Sequence, residues 1–344
     1  MLELVLSGES IAVPPSSGGE DVCDDYIRRL LDWRSLLGTR MVHFYWSERT
    51  MDALVDAGLF PLGPRFRDML DSEAFPELSA NDLLRVANDL LARSSFLEDR
   101  IGVADVLWSN VTSVPDIVAS AVPAELQRDL ERTLALLSVA AGSPAGRAAD
   151  LVLVLSRPTT PQIDSAVGVE CAEARPGMAE AIAHVVPPAV LRATVMAGHD
   201  LLSLVRHANE AVLWSGVVSA DDAAAVVRMC VLKERPGGSW ETIRAFSVQD
   251  RFLANCVEHG FMRDHTKARK LVAAIVDVIL ARNERDGHAL RTGGGGNNPP
   301  ILRGNDVAWR HDVDYEYHLH LWKTSSTGIE FAALVTHNDF TIPA

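Results

Sequence analysis

Cysteine is scarce in this 344-residue chain, and its four copies are scattered. Cys23, Cys171, Cys230 and Cys256 stand too far apart for a Cys-x-x-Cys redox or zinc motif. Isolated cysteines in a long chain suit a reducing compartment, and the expected location is the cytoplasm. Lysine is rarer still for its class. Lys233, Lys267, Lys270 and Lys323 leave arginine to supply the rest of 32 basic residues. With abundant Ala, Val and Leu, that is the coding bias of a GC-rich bacterium and carries no mechanism.

Other absences exclude more. No stretch reaches about 18 uninterrupted apolar residues, so neither a membrane span nor a membrane partner is expected. The opening MLELVLSGES has no basic n-region and too short an apolar run for a signal peptide. There is no G-x-G-x-x-G or G-x-x-x-x-G-K-[ST] loop, which removes the usual routes to dinucleotide and nucleotide binding. There is no G-x-S-x-G elbow for a hydrolase nucleophile, and Ser7-Gly8-Glu9-Ser10 reads as a cap or turn. No internal repeat points to a solenoid.

What is present is an ordinary globular composition, 48% hydrophobic and 23% charged, with a net charge of −14. The acid is unevenly spread. Residues 1–200 carry 16 Arg+Lys against 29 Asp+Glu, whereas residues 201–344 carry 16 against 17. Residues 251–300 are locally basic, 8 against 5. Duplex binding depends on neutralising many phosphates, so an acidic front half excludes it as a general activity. The near-neutral remainder leaves room for a small phosphate-directed site.

Periodicity predicts a strand over 2–7, a helix over 21–37, a buried strand over 41–46 and a helix capped by Ser47. These form a small α/β unit at 1–60. Residues 61–290 are predicted to be a mainly helical body. Helices open at Ser79, Phe96, near Pro115 and at Pro123, return over 177–232 with a start at Ser219, and end with an apolar helix over 265–282. Within that body 151–156, 162–171 and a short run at 243–248 read as strands. A flexible Gly/Asn/Pro connector is expected at 291–300, and a β unit at 301–344. The predicted fold class is α+β: a mostly helical body with a few strands and a small C-terminal β-hairpin unit.

Chemistry concentrates near the C-terminus, where His288, His311, His318, His320 and His337 make up five of the 11 histidines. If residues 311–322 form one strand, Asp312, Asp314, Glu316, His318, His320 and Trp322 share a face. Such a face is costly unless it is solvated, paired or functional. In the plain structural alternative Tyr315, Tyr317, Leu319 and Leu321 pack inward and the charged face meets water. In the functional one, imidazoles and a carboxylate supply general acid and base, and arginine stabilises a phosphorane-like charge. The candidates for that machinery are His318, His320, His337, Glu316 and Arg310, with Arg291, Arg303 and Lys323 holding substrate. No cofactor is required for it.

Three resemblances or patterns sharpen this. EYHLHLWKTSSTGIEFAALVTHNDF resembles the terminal β-hairpin of RelE/ParE-type toxins over about 35 of the 344 residues. That resemblance implies metal-independent RNA cleavage. Arg282-Asn283 followed by His288 resembles the R-x(4–6)-H motif of HEPN ribonucleases, which implies Arg282 and His288 as an RNA-cleaving pair. His318-x-His320, with Glu316 or Asp314, is the pattern of half a metal site and gives a metal-dependent hydrolase with a divalent cation. The expected function is a bacterial nuclease, acting on RNA, of toxin or phage-defence type. The alternative is a non-enzymatic subunit of a multi-protein defence complex, with a protein partner in place of RNA.

Overall fold

The computed structural model describes residues 1–15, 19–37, 39–70, 77–118, 124–142, 151–156, 163–176, 189–235, 242–283, 285, 287–292, 298–326 and 328–343. The chain divides into two compact units. One comprises Leu2–Gly38 and Val42–His207, and the other Met1, Thr39–Met41 and Ala208–Ala344. Among the described residues no helix is long and apolar enough to cross a membrane.

The first unit runs β1 (Leu2–Leu6), α1 (Gly8–Ile11), α2 (Glu20–Leu36), β2 (Val42–Trp46), α3 (Thr50–Asp56), α4 (Gly63–Met69), α5 (Ala80–Arg93), β3 (Ser95–Phe96), α6 (Leu97–Ile101), β4 (Val103–Val114), α7 (Ala124–Ala141), β5 (Leu151–Val154), β6 (Ile163–Pro176), β7 (Ala189–Gly198) and α8 (Leu201–Val205). Its seven strands form one sheet in the order β3-β2-β1-β5-β7-β6-β4. From β3 to β7 neighbours are parallel, and β6 and β4 extend the sheet antiparallel. β1, its Glu3 included, and the apolar run of β5 are buried at every residue, as central strands covered on both faces must be. The Leu130, Leu134 and Leu137 stripe of α7 packs into the same core as Val106 of β4, Val167 and Val169 of β6 and Val195 of β7. Each such side chain contributes about 1.5–3 kcal/mol by burial.

The predicted fold class is thereby corrected. The chain is a mixed α/β protein with two sheets, and its middle is not a helical body. Residues 103–114 and 189–198 are long strands where helix was expected from Phe96 onward and within 177–232, and the strand expected over 162–171 runs on to Pro176 and pairs with β7 and β4. Pro115 closes β4 and opens no helix, and the expected helical stretch at 177–188 lies outside the described residues. The cause is visible in β4. Its pairing with β6 shifts register between Val103 and Asp105, and again around Trp108. A bulge inserts one residue, so the buried Val103 and Val106 stand three apart and imitate a helical period. Ser47 does not cap a helix either; its hydroxyl donates to Glu98 Oε1 at 2.7 Å, and α3 starts after Arg49.

A buried polar knot closes the carboxyl ends of β1 and β2. Asp129 of α7 accepts from the Gly8 N–H at 3.0 Å and from the Thr50 hydroxyl at 2.8 Å. Next to it Arg132 donates to Ser47 Oγ (3.1 Å) and pairs with Asp105 (2.6 Å) and Glu98 (3.2 Å). Burial pushes the Asp129 carboxyl up to about 6, against the two donors, which lower it.

The second unit runs α9 (Glu210–Ser215), α10 (Ala220–Glu234), β8 (Phe246–Val248), α11 (Asp250–Glu258), α12 (His265–Ile279), β9 (Gly287–Ala289), β10 (Leu302–Arg303), β11 (Asp306–Asp312), β12 (Tyr317–Lys323) and β13 (Ile329–Thr336). Its sheet has the order β10-β11-β12-β13-β8, with β9 also pairing β11. Phe252 of α11 meets Phe331 of β13 at 6.1 Å between ring centroids and Trp214 of α9 at 6.4 Å, which sets the helices on one face of that sheet. Residues 293–297 of the expected connector lie outside the described residues.

Two outcomes test the polar knot. A Cβ at position 8 would sit 2.6 Å from Asp129 Oδ2 and 3.1 Å from Leu126 Cδ2, so Gly8→Ala is expected to cost about 1–3 kcal/mol in urea unfolding. The second outcome concerns pH. Asp129 binds its proton more tightly folded (about 6) than its ordinary value of 3.8. Its contribution to stability is therefore full below about pH 4 and is lost as pH rises through 6. Between pH 4 and 7.5 the Asp129→Asn variant should gain on wild type by up to about 3 kcal/mol. Parallel stability curves would contradict the burial account.

Candidate functional site

The alternating run that reads as one strand is a hairpin. Asp314 reverses it: its Oδ1 accepts from the N–H groups of Glu316 (2.9 Å) and Tyr317 (3.0 Å), an Asx-type turn. The backbone N–H groups of Val313 and Asp314 both donate to Tyr317 O and close the loop. In the resulting register Arg310 faces His320, Asp312 faces His318, and His288 of β9 pairs with Arg310 from the other side. Directly paired residues project to the same face, so these five line one side of the sheet. Tyr317, on the opposite face, packs edge-on against Phe261.

At one end of this face three basic groups converge. Arg310 Nη2 lies 2.9 Å from His318 Nε2 and 3.5 Å from His337 Nδ1, and the two imidazole nitrogens are 2.8 Å apart. His337 is brought in by the residues after β13, its N–H donating to Glu316 O at 2.9 Å. Behind them, Asp312 Oδ1 stands 2.7 Å from His318 Nδ1 and 3.6 Å from Arg310 Nε. The contact to Nδ1 is close but off the direction of a well-formed hydrogen bond. His318 is 1% exposed, whereas His337 and Asp312 reach the surface. The ring of Tyr315, itself 93% exposed, stacks over His337 at 6.0 Å and 15°.

Burial, reinforced by the charge of Arg310, lowers the His318 imidazole to about 4 despite Asp312, so it is neutral near pH 7. An arginine can only donate, so its contact makes Nε2 of His318 the acceptor and leaves the proton on Nδ1, facing Asp312.

His320 belongs to a different environment. Its Nδ1 donates to Thr341 O at 2.7 Å, and Trp322 Nε1 donates to Pro343 O at 2.9 Å. The segment through Ile342 thus covers the middle of the face and packs over Ala308, Trp322 and Ala332. Burial lowers the His320 imidazole, and its Nε2 is enclosed without a partner. His318 and His320 therefore share a face but not a ligand position. Among the described residues no group of three or more His, Cys, Asp or Glu is arranged to hold a metal ion.

The other sequence candidates disperse. The Glu316 side chain is exposed in the turn. Arg282 follows α12 and pairs with Glu234 at 3.3 Å, while the exposed His288 lies on β9 beside Arg310. Arg291 donates to Asn298 O. Arg303 is held by Glu330 (2.8 Å) and Asp306 (3.1 Å) over the Trp322 ring, and Lys323 sits over the Trp309 ring. Asp312 and Tyr315 are members of the cluster that the sequence left out of it. The missed signal is Asp314, a turn former in the middle of the alternation.

Against family models, characterised proteins and solved structures alike, the chain finds no match.

The imidazole environment has a measurable signature. In nitrogen-detected NMR, His318 is expected to titrate near pH 4, far below the ordinary 6.5. With the folded value depressed, its contribution to stability is complete above about pH 6.5 and is lost as pH falls from there toward 4. A His318 titration near 6.5 would contradict the buried, Arg-flanked placement.

Proposed function

We propose that the C-terminal unit carries a metal-independent RNA-cleaving site in which His337 is the group that meets substrate. The observation that carries this reading is the chain Asp312–His318–His337 beside Arg310, running from a buried neutral imidazole to an exposed one. An imidazole whose Nδ1–H is donated to a neighbour presents an unprotonated Nε2, which is the logic of an oriented general base. His318 Nε2 shares its one lone pair between that N–H and Arg310 Nη2, and Asp312 faces the other nitrogen of His318. His318 and Asp312 are then positioning residues, and His337 is the catalytic one.

RNA is favoured on chemical grounds. Its 2′-hydroxyl is an internal nucleophile, so an imidazole base suffices where DNA would need an activated water. His337 Nε2 takes the 2′-OH proton. The 2′-oxygen attacks the adjacent phosphorus, the bond to the 5′-oxygen breaks, and that oxygen leaves with a proton from water or from a protonated imidazole. The products are a 2′,3′-cyclic phosphate and a 5′-hydroxyl. Arg310 is the cation available to the anionic phosphorane oxygens. Tyr315, flat and exposed over His337, offers a stacking surface to an unpaired base. β12 and β13, paired antiparallel, are the strands that resemble the RelE/ParE-type hairpin. On this reading expression slows bacterial growth, the behaviour of a toxin or defence nuclease.

The test is cleavage of single-stranded RNA by purified protein in EDTA, with a 2′-deoxy oligonucleotide as control. RNA should be cut to cyclic phosphate ends and the deoxy strand left intact. His337→Ala should lower the rate about 10²–10⁴-fold, the range for one acid–base group. His318→Gln should shift the pH profile of the residual activity. Intact RNA in the presence of the wild-type chain, with recovery of an obligate protein partner, would favour the non-enzymatic subunit.

A further inference from the structure

The first unit has a cavity that the RNA reading does not use. It measures about 680 Å³, a size suited to a small organic ligand. It opens where Glu9 follows β1 and Ser156 follows β5, the Ser156 N–H donating to Glu9 Oε1 at 3.3 Å. From β1 the chain moves outward to β2 and β3, while β5 and β7 lie on the other side. The carboxyl ends of β1 and β5 are thus the point where the strand order reverses. Crevices at that point are where open α/β sheets take their ligands.

Its walls are specific. Pro14, Val22 and Leu59 supply apolar surface, and Glu9, Asp21 and Asp25 supply carboxylates. One guanidinium stands among them. Arg29 is 5% exposed, its Nε donates to Asp25 at 3.1 Å, and its Nη1 is buried with no hydrogen-bond partner. His199 Nε2 holds the other side of the Asp25 carboxylate at 3.3 Å. Leaving a buried donor of a charged group unmade costs on the order of 1–3 kcal/mol, so an acceptor is called for. The surrounding acid repels a phosphate-rich ligand. A ligand that answers both demands carries a carboxylate for Arg29 and a cation for the acidic rim, on an apolar body.

We propose that this cavity binds an apolar α-amino acid. The carboxylate engages Arg29, the ammonium group lies among Glu9, Asp21 and Asp25, and the side chain packs against Pro14, Val22 and Leu59. The site is independent of the RNA-cleaving reading and stands or falls separately.

The experiment is calorimetric titration of the full chain with L-phenylalanine and L-leucine. Phenethylamine and 3-phenylpropionate serve as probes that keep the ring and lose one charge each. At least one amino acid is expected to bind with Kd on the order of 1 mM or tighter. The two single-charge analogues should bind at least tenfold more weakly than L-phenylalanine, or not at all. Val22 lines the cavity from an exposed position, 48% accessible, so Val22→Trp should block entry without disturbing the core. Arg29→Gln should weaken binding at least tenfold; if that variant fails to fold, Val22→Trp still decides. Failure of both amino acids to bind, equal binding of either analogue, or unchanged binding in Val22→Trp overturns the proposal.

Discussion

The Asp129 carboxylate is the constraint on which the first unit turns. It sits under the carboxyl ends of β1 and β2 and is the acceptor for a backbone N–H at Gly8 and a hydroxyl at Thr50. Those two donors are the first residues of α1 and α3, which follow neighbouring strands, and the acceptor belongs to the helix that covers the antiparallel side. One carboxylate therefore registers α7 against the starts of both helices. The closeness it imposes explains the glycine: only a residue without a Cβ lets the β1 loop approach α7 at that point. The Arg132 knot beside it pairs three further groups, the buried Ser47 and Glu98 and the half-buried Asp105.

The second unit depends on a smaller device. A single Asx-type turn at Asp314 decides whether Asp312 and His318 lie six residues apart along one strand or face each other across two. The turn makes them face each other. It also leaves Tyr315 at the tip, over His337, and directs Arg310 into the same cluster. The cluster is thus a product of topology: the turn folds Arg310, Asp312, Tyr315 and His318 back on one another, and β13 brings His337 in from farther along the chain.

These two cases also mark what the sequence could disclose. Elements with an unbroken signal were legible: the apolar β1, the amphipathic α2, the capped starts of α5 and α10, and the apolar α12 all lie close to their expected places. β4 was not, because bulges spoil the period-two pattern that identifies a strand. β7, rich in Ala, Val, Leu and Met, was not, because pairing between β5 and β6 overrides its local preference. In the site, His318, His337 and Arg310 were legible as chemistry. Their separation from His320 was not, because it is made by hydrogen bonds to Thr341 and Pro343, which no spacing announces.

The depth profile of the imidazole pair has one more consequence. His318 is sealed from water, while its neighbour at 2.8 Å is open to it. The inner ring is linked to solvent through two exposed neighbours, His337 on its Nε2 side and Asp312 on its Nδ1 side. Whatever covers His337, whether the face of Tyr315 or a bound molecule, closes one of those routes and leaves the other open.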